Sequence, residues 1–564
     1  MIKKITTGLI SYKTLYILCF VALNLIEFLK ASQKGDVWYV AVNCTGLVMM
    51  VILFSAYPVR QFIDRINLAY TVVCLGVMAG IYIHWQSHIG HYNVWQRETA
   101  VMNVWWLGIL LRHLFRQIFV EKTIRLKIGA TGWVWIAMSF FMIASVSGKI
   151  WPLWFFLMFG AFYVTRYTGE QRMALLEGMA DGTIISFFGI QIYAYGFRPY
   201  DTVRYVGAYG NCNAMALFYL VVYCMVLYKL HLLQMRKANK WLKLYYLVGA
   251  GGLLCFQMFT LCRTAWLVSA LITFIYGIFV VRRMWKLNVR GVCMRAVALA
   301  LAVCFTFLPV YETIRWLPTI LHYRIWYDGE YDVQKVHSFD PPNSYKYVSL
   351  EEFLEAAGGR VLSMLLTGGQ KTKDLQENKP EETPAQIISD DQTGIQSDGQ
   401  AVSETGEAKE LEAQRPGPGD ENYVELIKVS FTDDLSSLIR LTIYKAYLKD
   451  MKWFGNGPDK GYYWIGDTGY MSRHAQNLWI QMGYSFGIFA GILSIVLTVL
   501  VMLRHTKALV TKKGAPYGII PFFVCVIFFS FGITEIVWNL GQIIMFLMFF
   551  VQHPAFLEEY DEKE

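Results

Sequence analysis

Residues 478–503, LWIQMGYSFGIFAGILSIVLTVLVML, decide how this chain is to be read. The stretch runs 26 residues without a charged side chain. At 1.5 Å per residue, about 20 helical residues cross the ~30 Å of hydrocarbon in a bilayer. With no water in that layer, every backbone N–H and C=O must be satisfied within the chain, and a helix does so. The segment therefore predicts a membrane-spanning helix.

Runs of similar kind recur in both directions. They lie at 12–30, 37–57, 67–85, 101–120, 130–147, 150–165, 181–197, 214–233, 241–262, 265–281 and 293–311, and after the quoted stretch at 517–538 and 540–553. The run at 101–120 carries Arg112 and Arg116, and the last pair is short. Hydrophobic residues make up 55% of the 564 and charged ones only 16%, whereas soluble domains average about 25% charged. Alternating strands of about ten residues, as in a membrane barrel, are missing. The fold class expected is an all-α integral membrane protein of about 14 transmembrane helices with one large extracytoplasmic loop. Residues 1–311 hold the first eleven helices, 312–477 the loop, and 478–564 the last three helices and a cytoplasmic tail. No short apolar stretch with a small-residue cleavage site opens the chain, so residue 1 is expected in the mature protein.

Orientation follows from basic residues in short loops. With Lys3, Lys4 and Lys13 inside, alternation leaves about 27 lysines and arginines on the inner side and about seven in short outer loops. The inner clusters include Arg60 and Arg65, Arg112 to Lys127, Lys229 to Lys243, Arg282 to Arg295 and Arg504 to Lys513. Both termini are then cytoplasmic in a cell-membrane protein. The net charge of +9 follows from this asymmetry and calls for no nucleic-acid partner. The ten cysteines lie mostly within apolar runs, without CxxC or Cys/His spacing, and read as small buried hydrophobes.

The large loop has three parts. Residues 312–367 mix aromatic and polar residues and end in a helical-looking stretch, 349–366, suited to the membrane surface. Residues 368–422 are acidic and polar, nearly free of aromatics, and predict disorder, because they bury too little apolar surface to offset ordering entropy. Residues 423–477 regain pattern, and 436–451 read as an amphipathic helix with Leu438, Leu441, Tyr444, Ala446 and Leu448 on its buried side.

Candidate chemistry sits where the positive-inside bias is broken. Arg204, Arg263, Arg440 and His474 all fall on the outer side, although spread over some 270 positions. Three guanidinium groups and an imidazole suit a phosphate-bearing substrate, since Arg holds phosphate oxygens through paired hydrogen bonds. The bland alternatives are an interfacial Arg reaching toward lipid headgroups and an ordinary loop His. Arg263 interrupts a helical hairpin with almost no loop, which argues for a role within the bundle.

Three segments carry a resemblance. RYVGAYGNCNAMALFYL (204–220) has an Arg, then Gly-x-x-Gly-Asn-x-Asn leading into a helix. FTLCRTAWLVSALI (259–272) has a Thr-x-Cys-Arg turn. The third starts at IRLTIYKAYLKDMKWFGNG (439–457) and continues into RHAQNLWIQMGYSFGIFAGIL (473–493). Together, over about residues 200–500 and in this order, they resemble the superfamily of bacterial O-antigen ligases and O-antigen polymerases, where Ser is usual at the position of Cys262. The resemblance implies transfer of a glycan from a polyprenyl-pyrophosphate-linked oligosaccharide to a glycan or lipid acceptor hydroxyl, without metal or cofactor, on the outer face of the cytoplasmic membrane. Arg204, Arg263 and Arg440 would hold the pyrophosphate, with Asn213, Gln476 and Asn477 lining the substrate site and membrane lipids around it. His474 would be the general base. Family members commonly have His directly before the Asn, where this chain has Gln476, so Glu535 stands as another candidate base. A flippase of lipid-linked glycans and a non-catalytic scaffold of envelope assembly remain the rival classes, and polymerase is not separated from ligase.

Overall fold

The computed structural model describes residues 11–32, 37–85, 90–124, 128–146, 150–195, 200–201, 204–209, 211–320, 350–366, 423–426, 435–456, 463–468, 470–472, 474–510, 515–537 and 543–553. The acidic segment 368–422, Arg473 and both chain ends lie outside the described residues.

Helices dominate: α1 (Tyr12–Ser32), α2 (Val37–Phe54), α3 (Arg65–Trp85), α4 (Gly90–Phe115), α5 (Ala130–Ala144), α6 (Ile150–Val164), α7 (Gly169–Tyr195), α8 (Cys212–Met235), α9 (Lys240–Phe259), α10 (Arg263–Ile275, continued by π-helical turns to Met284) and α11 (Val289–Ile320). After them come α12 (Leu350–Leu366), α13 (Leu435–Lys449), α14 (Leu478–Phe486), α15 (Ile488–Val510), α16 (Ala515–Gly532) and α17 (Ile543–Val551). Among the described residues, seven helices are long and apolar enough to cross a membrane: α3, α7, α8, α9, α10 with its extension, α11 and α15. Shorter apolar helices coincide with α2, α5, α6 and α16. The runs read at 12–30, 101–120 and 540–553 correspond to α1, α4 and α17, which fall outside both sets. The molecule is a largely helical bundle with the apolar helices of a membrane protein.

Helix α8 is the central element, with 83% of its apolar window buried, against 11% for α3 and 17% for α11. It packs on α7, α9 and α16, while α1 lies along α7 and α11 along α9. A span read as charged is neutralised locally. Arg112 of α4 donates from Nη1 to Asp64 Oδ2 at 2.5 Å and Asn67 Oδ1 at 2.8 Å.

The stretch quoted at the outset is two helices rather than one. It breaks at Gly487, whose φ of 102° and ψ of 158° lie in a region open essentially to glycine. The segment 452–456 threads into the break. Ile488 N donates to Lys452 O at 3.2 Å, and Asn456 N donates to Tyr484 O at 2.9 Å. A Cβ on Gly487 would sit 2.0 Å from the Trp453 carbonyl oxygen, and one on Gly455 2.1 Å from the Ser485 oxygen. Gly491 lies so close to Gly483 that α14 folds back against α15. Apolar composition sets which residues enter the membrane, but it does not register this backbone-on-backbone contact.

Part of the loop forms a cap. Strand β3 (Tyr423–Val424) pairs parallel with β4 (Tyr463–Ile465), and β4 antiparallel with β5 (Tyr470–Ser472). Helix α13 seats Ile439, Ile443, Ala446 and Tyr447 on this sheet and on Tyr484. The Tyr447 ring lies 4.8 Å from Tyr463 and 4.7 Å from Tyr484. The buried side is thus Ile439, Ile443, Ala446 and Tyr447; of the five residues expected there, Ala446 is buried and Leu448 is 54% exposed. The i,i+4 aromatic and β-branched residues dock onto the tyrosine cluster, so Arg440 and Tyr444 share another face.

Candidate functional site

The turn at the end of α16, Ile533-Thr534-Glu535, joins three helix N-termini. Asn477, the N-cap of α14, donates from Nδ2 to Ile533 O at 2.9 Å. Thr264, in the first turn of α10, pairs its hydroxyl with that of Thr534 at 3.3 Å. Asn213, in the first turn of α8, donates from Nδ2 to Glu535 Oε1 at 2.7 Å. Three successive residues therefore each tie a different helix start. A helix N-terminus carries partial positive charge from its aligned peptide dipoles, so the place where three meet favours an anion.

The sequence builds each start locally. Asn211 caps α8 by accepting from the N–H groups of Asn213 and Ala214. Asn477 does the same for α14, accepting from Trp479 and Ile480. Helix α10 begins after Cys262, whose side chain makes no capping bond. Leu261 before it has φ of +52°. The hairpin β1 (Tyr200–Asp201) and β2 (Arg204–Tyr205) leads into α8 and sets Arg204 beside it.

Arg204 reaches into this junction. Its Nη2 donates to Asn213 Oδ1 at 3.1 Å and its Nε to Thr260 O at 3.4 Å. Asn213 thus stands between a guanidinium and a carboxylate, holding each with one end of its amide. Burial pushes the Cys262 thiol up; the Ala265 backbone and the charges of Arg204 and Arg440 pull it down, and Glu535 adds to the rise. Arg204, Arg440 and Glu535 thus all act on the one thiol in the α9–α10 turn. Tyr444 shows the same neighbourhood: burial raises its phenol, Arg440 and the Asn477 side chain lower it, and Glu535 raises it. Its hydroxyl donates to Ile533 O at 2.9 Å and to Gln476 O at 3.3 Å.

The sequence candidates divide accordingly. Arg204 and Asn213 meet at Glu535 beside the α9–α10 turn, and Arg440 shares a face of α13 with Tyr444, whose hydroxyl bonds Ile533 O. Arg263 follows Cys262 directly, so its backbone belongs to the same turn, and its side chain is half-buried. Asn477 and Gln476 are buried, at 8% and 4% exposed. The amide of Asn477 is taken up by capping α14 and holding Ile533, and Gln476 donates from Nε2 to the Tyr470 hydroxyl with its backbone at φ +46°. His474 joins the group through Gln476, whose N–H donates to His474 Nδ1 at 3.2 Å. Among the described residues, no group of His, Cys, Asp and Glu is arranged to hold a metal ion.

The sequence reading overlooked Arg360. Helix α12 docks by Phe353, whose ring lies 4.8 Å from Phe259 and 6.2 Å from Phe307, and Arg360 Nη1 then donates to Leu261 O at 2.8 Å. A charged donor thereby holds the left-handed residue of the α9–α10 turn. Hydrogen bonds to charged groups contribute about 1.5–3 kcal/mol. In Arg360→Ala, local opening of the turn is expected to rise about tenfold or more. Maleimide labelling of Cys262, read by mass spectrometry, should speed up by that factor, and an unchanged rate would reject the clamp. Arg360 follows two glycines in a helix of mixed character, and nothing in its local pattern marks it.

A second charged group lies roughly 25 Å farther along α8, at 1.5 Å per residue. Lys13 pairs with Glu177 at 2.8 Å and Asp181 at 3.0 Å, Lys229 with Asp181 at 2.6 Å, and Arg236 with Glu177. Glu27 of α1 is also buried, at 9% exposed. Helix α7 starts at Gly169 rather than near 181 and carries Glu177 and Asp181 within it. Comparison with protein-family models, curated proteins and solved structures finds no match to this chain.

Proposed function

We propose that the chain is a membrane glycosyltransferase of about fourteen spans. It moves a glycan from a polyprenyl-diphosphate carrier to an acceptor hydroxyl on the outer face of the cytoplasmic membrane, in the polymerisation or ligation of surface polysaccharide. The observation that carries this reading is the meeting of Arg204 and three helix N-termini at the Ile533–Glu535 turn, with Arg440 one turn along α13 from Tyr444, whose hydroxyl bonds Ile533 O. A departing diphosphate develops negative charge, and preorganised donors aimed at it in a dry site are worth about 3–4 kcal/mol each. Arg263, next along the chain from Cys262, adds a third guanidinium to that turn. Helix α8 runs from this site toward Lys229, Arg236 and the other basic residues that the positive-inside bias assigns to the cytoplasm, which supports an outward-facing site. The acceptor hydroxyl must lose a proton, and His474 and Glu535 are the two groups near enough in the chain's own architecture to be considered.

Two features favour a second reading, a transporter of lipid-linked glycans: the broken helix at Gly487 and the Glu177, Asp181 and Lys229 charges held within α7 and α8. Deleting the gene and analysing carrier-linked glycans separates the two. Loss of the transferase leaves donors exposed on the outer leaflet, as single repeats for a polymerase and as finished chains for a ligase. Loss of a transporter leaves them on the inner leaflet, sheltered from external glycosidase. Unaltered carrier-linked and surface glycans in the deletion strain would reject both.

A further inference from the structure

We propose that the turn between α8 and α9 is a binding site for the headgroup of an anionic phospholipid. Two span-length helices are joined there by only four residues, 236–239, so the turn lies at a membrane boundary. Its backbone is fixed. Arg236 N donates to Leu232 O and Ala238 N to Leu233 O, each at 2.9 Å, with Lys237 between them at φ +50°. Asn239 then caps α9, its side chain accepting from the Trp241 N–H at 3.0 Å.

Charge at this end of α8 is out of balance. Six basic groups, Lys13, Lys229, Arg236, Lys237, Lys240 and Lys243, gather with two carboxylates, Glu177 and Asp181. Four of the six are engaged. Lys13 and Lys229 share Asp181, Lys13 and Arg236 share Glu177, and Lys243 Nζ donates to Gln234 Oε1 at 3.0 Å. Lys237 and Lys240 are exposed, and neither has an ion pair among the described residues. Lys240 also opens α9, where the aligned peptide dipoles already present positive charge and the first turn holds no acidic residue. A cation is unfavourable there, and an anion bound beside it removes the conflict.

The surface next to the two lysines identifies the anion. Trp241 is 67% and Tyr245 58% exposed, one turn apart on α9, with Leu242 and Met235 exposed nearby. The Lys240 ammonium lies 5.7 Å from the centre of the Trp241 ring. Tryptophan, tyrosine and lysine at the end of a span are the side chains of the headgroup layer. A soluble anion answers the lysines and leaves the apolar surface uncovered. A phospholipid answers both, with its phosphate at Lys237 and Lys240 and its acyl chains along α9. Arg236 keeps more than half of its side chain exposed while it holds Glu177, and it links this turn through Lys13 and Asp181 to α1 and α7. Binding should therefore stabilise the bundle as a whole.

The test uses full-length protein in detergent, titrated with phosphatidylglycerol and, separately, with phosphatidylcholine. Native mass spectrometry counts the bound lipid, and the melting temperature is followed alongside. Phosphatidylglycerol is expected to bind in preference and to raise the melting temperature. The double variant Lys237→Gln/Lys240→Gln changes two exposed side chains. It should weaken that binding about thirtyfold, at roughly 1 kcal/mol for each lysine near an anionic headgroup. The control Arg282→Gln/Arg283→Gln removes the same charge from the last turn of another helix, where the dipole favours cations without a ligand. It should leave phosphatidylglycerol binding within about threefold. Equal binding of the two lipids, undiminished binding in the lysine variant, or an equal loss in the arginine variant would overturn the site. So would inorganic phosphate reproducing the rise in melting temperature, because the anion would then need no acyl chains.

Discussion

Arg204→Ala and Arg440→Ala are each expected to lower glycan transfer by about 10²–10³-fold, and Arg263→Ala to reproduce the gene deletion, with protein levels unchanged. The magnitude is that of removing one preorganised donor from a site where anionic charge develops. Arg204 is the most informative of the three because its contacts are explicit. Replacing it leaves Asn213 Oδ1 and Thr260 O without that partner, yet both lie in turns already held by Asn211, Glu535 and the Thr260 hydroxyl's own bond to Gln257 O. The fold should therefore tolerate the change better than the chemistry does. Arg204→Lys restores charge but not the fork that reaches Asn213 and Thr260 together, so only partial rescue is expected. The measurements are carrier-linked glycan in complemented deletion cells and the melting temperature of the purified variants. Normal glycan from Arg263→Ala, or from both of the others, would reject the diphosphate site.

Gly487→Ala is expected to be the most damaging single-methyl substitution, destabilising the protein by roughly 3–5 kcal/mol. Two costs add. The backbone at φ 102° and ψ 158° is a region where a side chain costs on the order of 1–3 kcal/mol. The new Cβ would also meet the Trp453 carbonyl oxygen at 2.0 Å, and that oxygen belongs to a backbone held on either side. Ile488 N bonds Lys452 O, and Val146 N bonds Phe454 O at 3.0 Å, so segment 452–456 has little freedom to retreat. Because α14 starts at Asn477, disturbing its far end should also shift the Ile533–Glu535 turn and lower transfer. Gly76→Ala on α3, where nothing lies within 4 Å, is the control and should change stability little. Equal melting temperatures in detergent for the two variants would refute this account of the break.

The sequence by itself determined the helical, membrane-type architecture and most helix positions, because the number of consecutive apolar residues is a local property that meets a fixed external length, the thickness of hydrocarbon. It also marked Arg204, Arg263 and Arg440, since a basic residue in a loop that the charge bias assigns to the outer side stands out without any knowledge of neighbours. Only the tertiary structure decided what these residues are near. Asn213 and Glu535 are 322 positions apart, and their pairing at 2.7 Å depends on α8 and α16 lying together in the bundle. Arg360, a guanidinium with no local signature, matters because Phe353 docks α12 over the α9–α10 turn. The helix break at Gly487 was hidden for the same reason. Hydropathy counts side chains, whereas the break is made by one backbone passing through the space where another residue would have a Cβ.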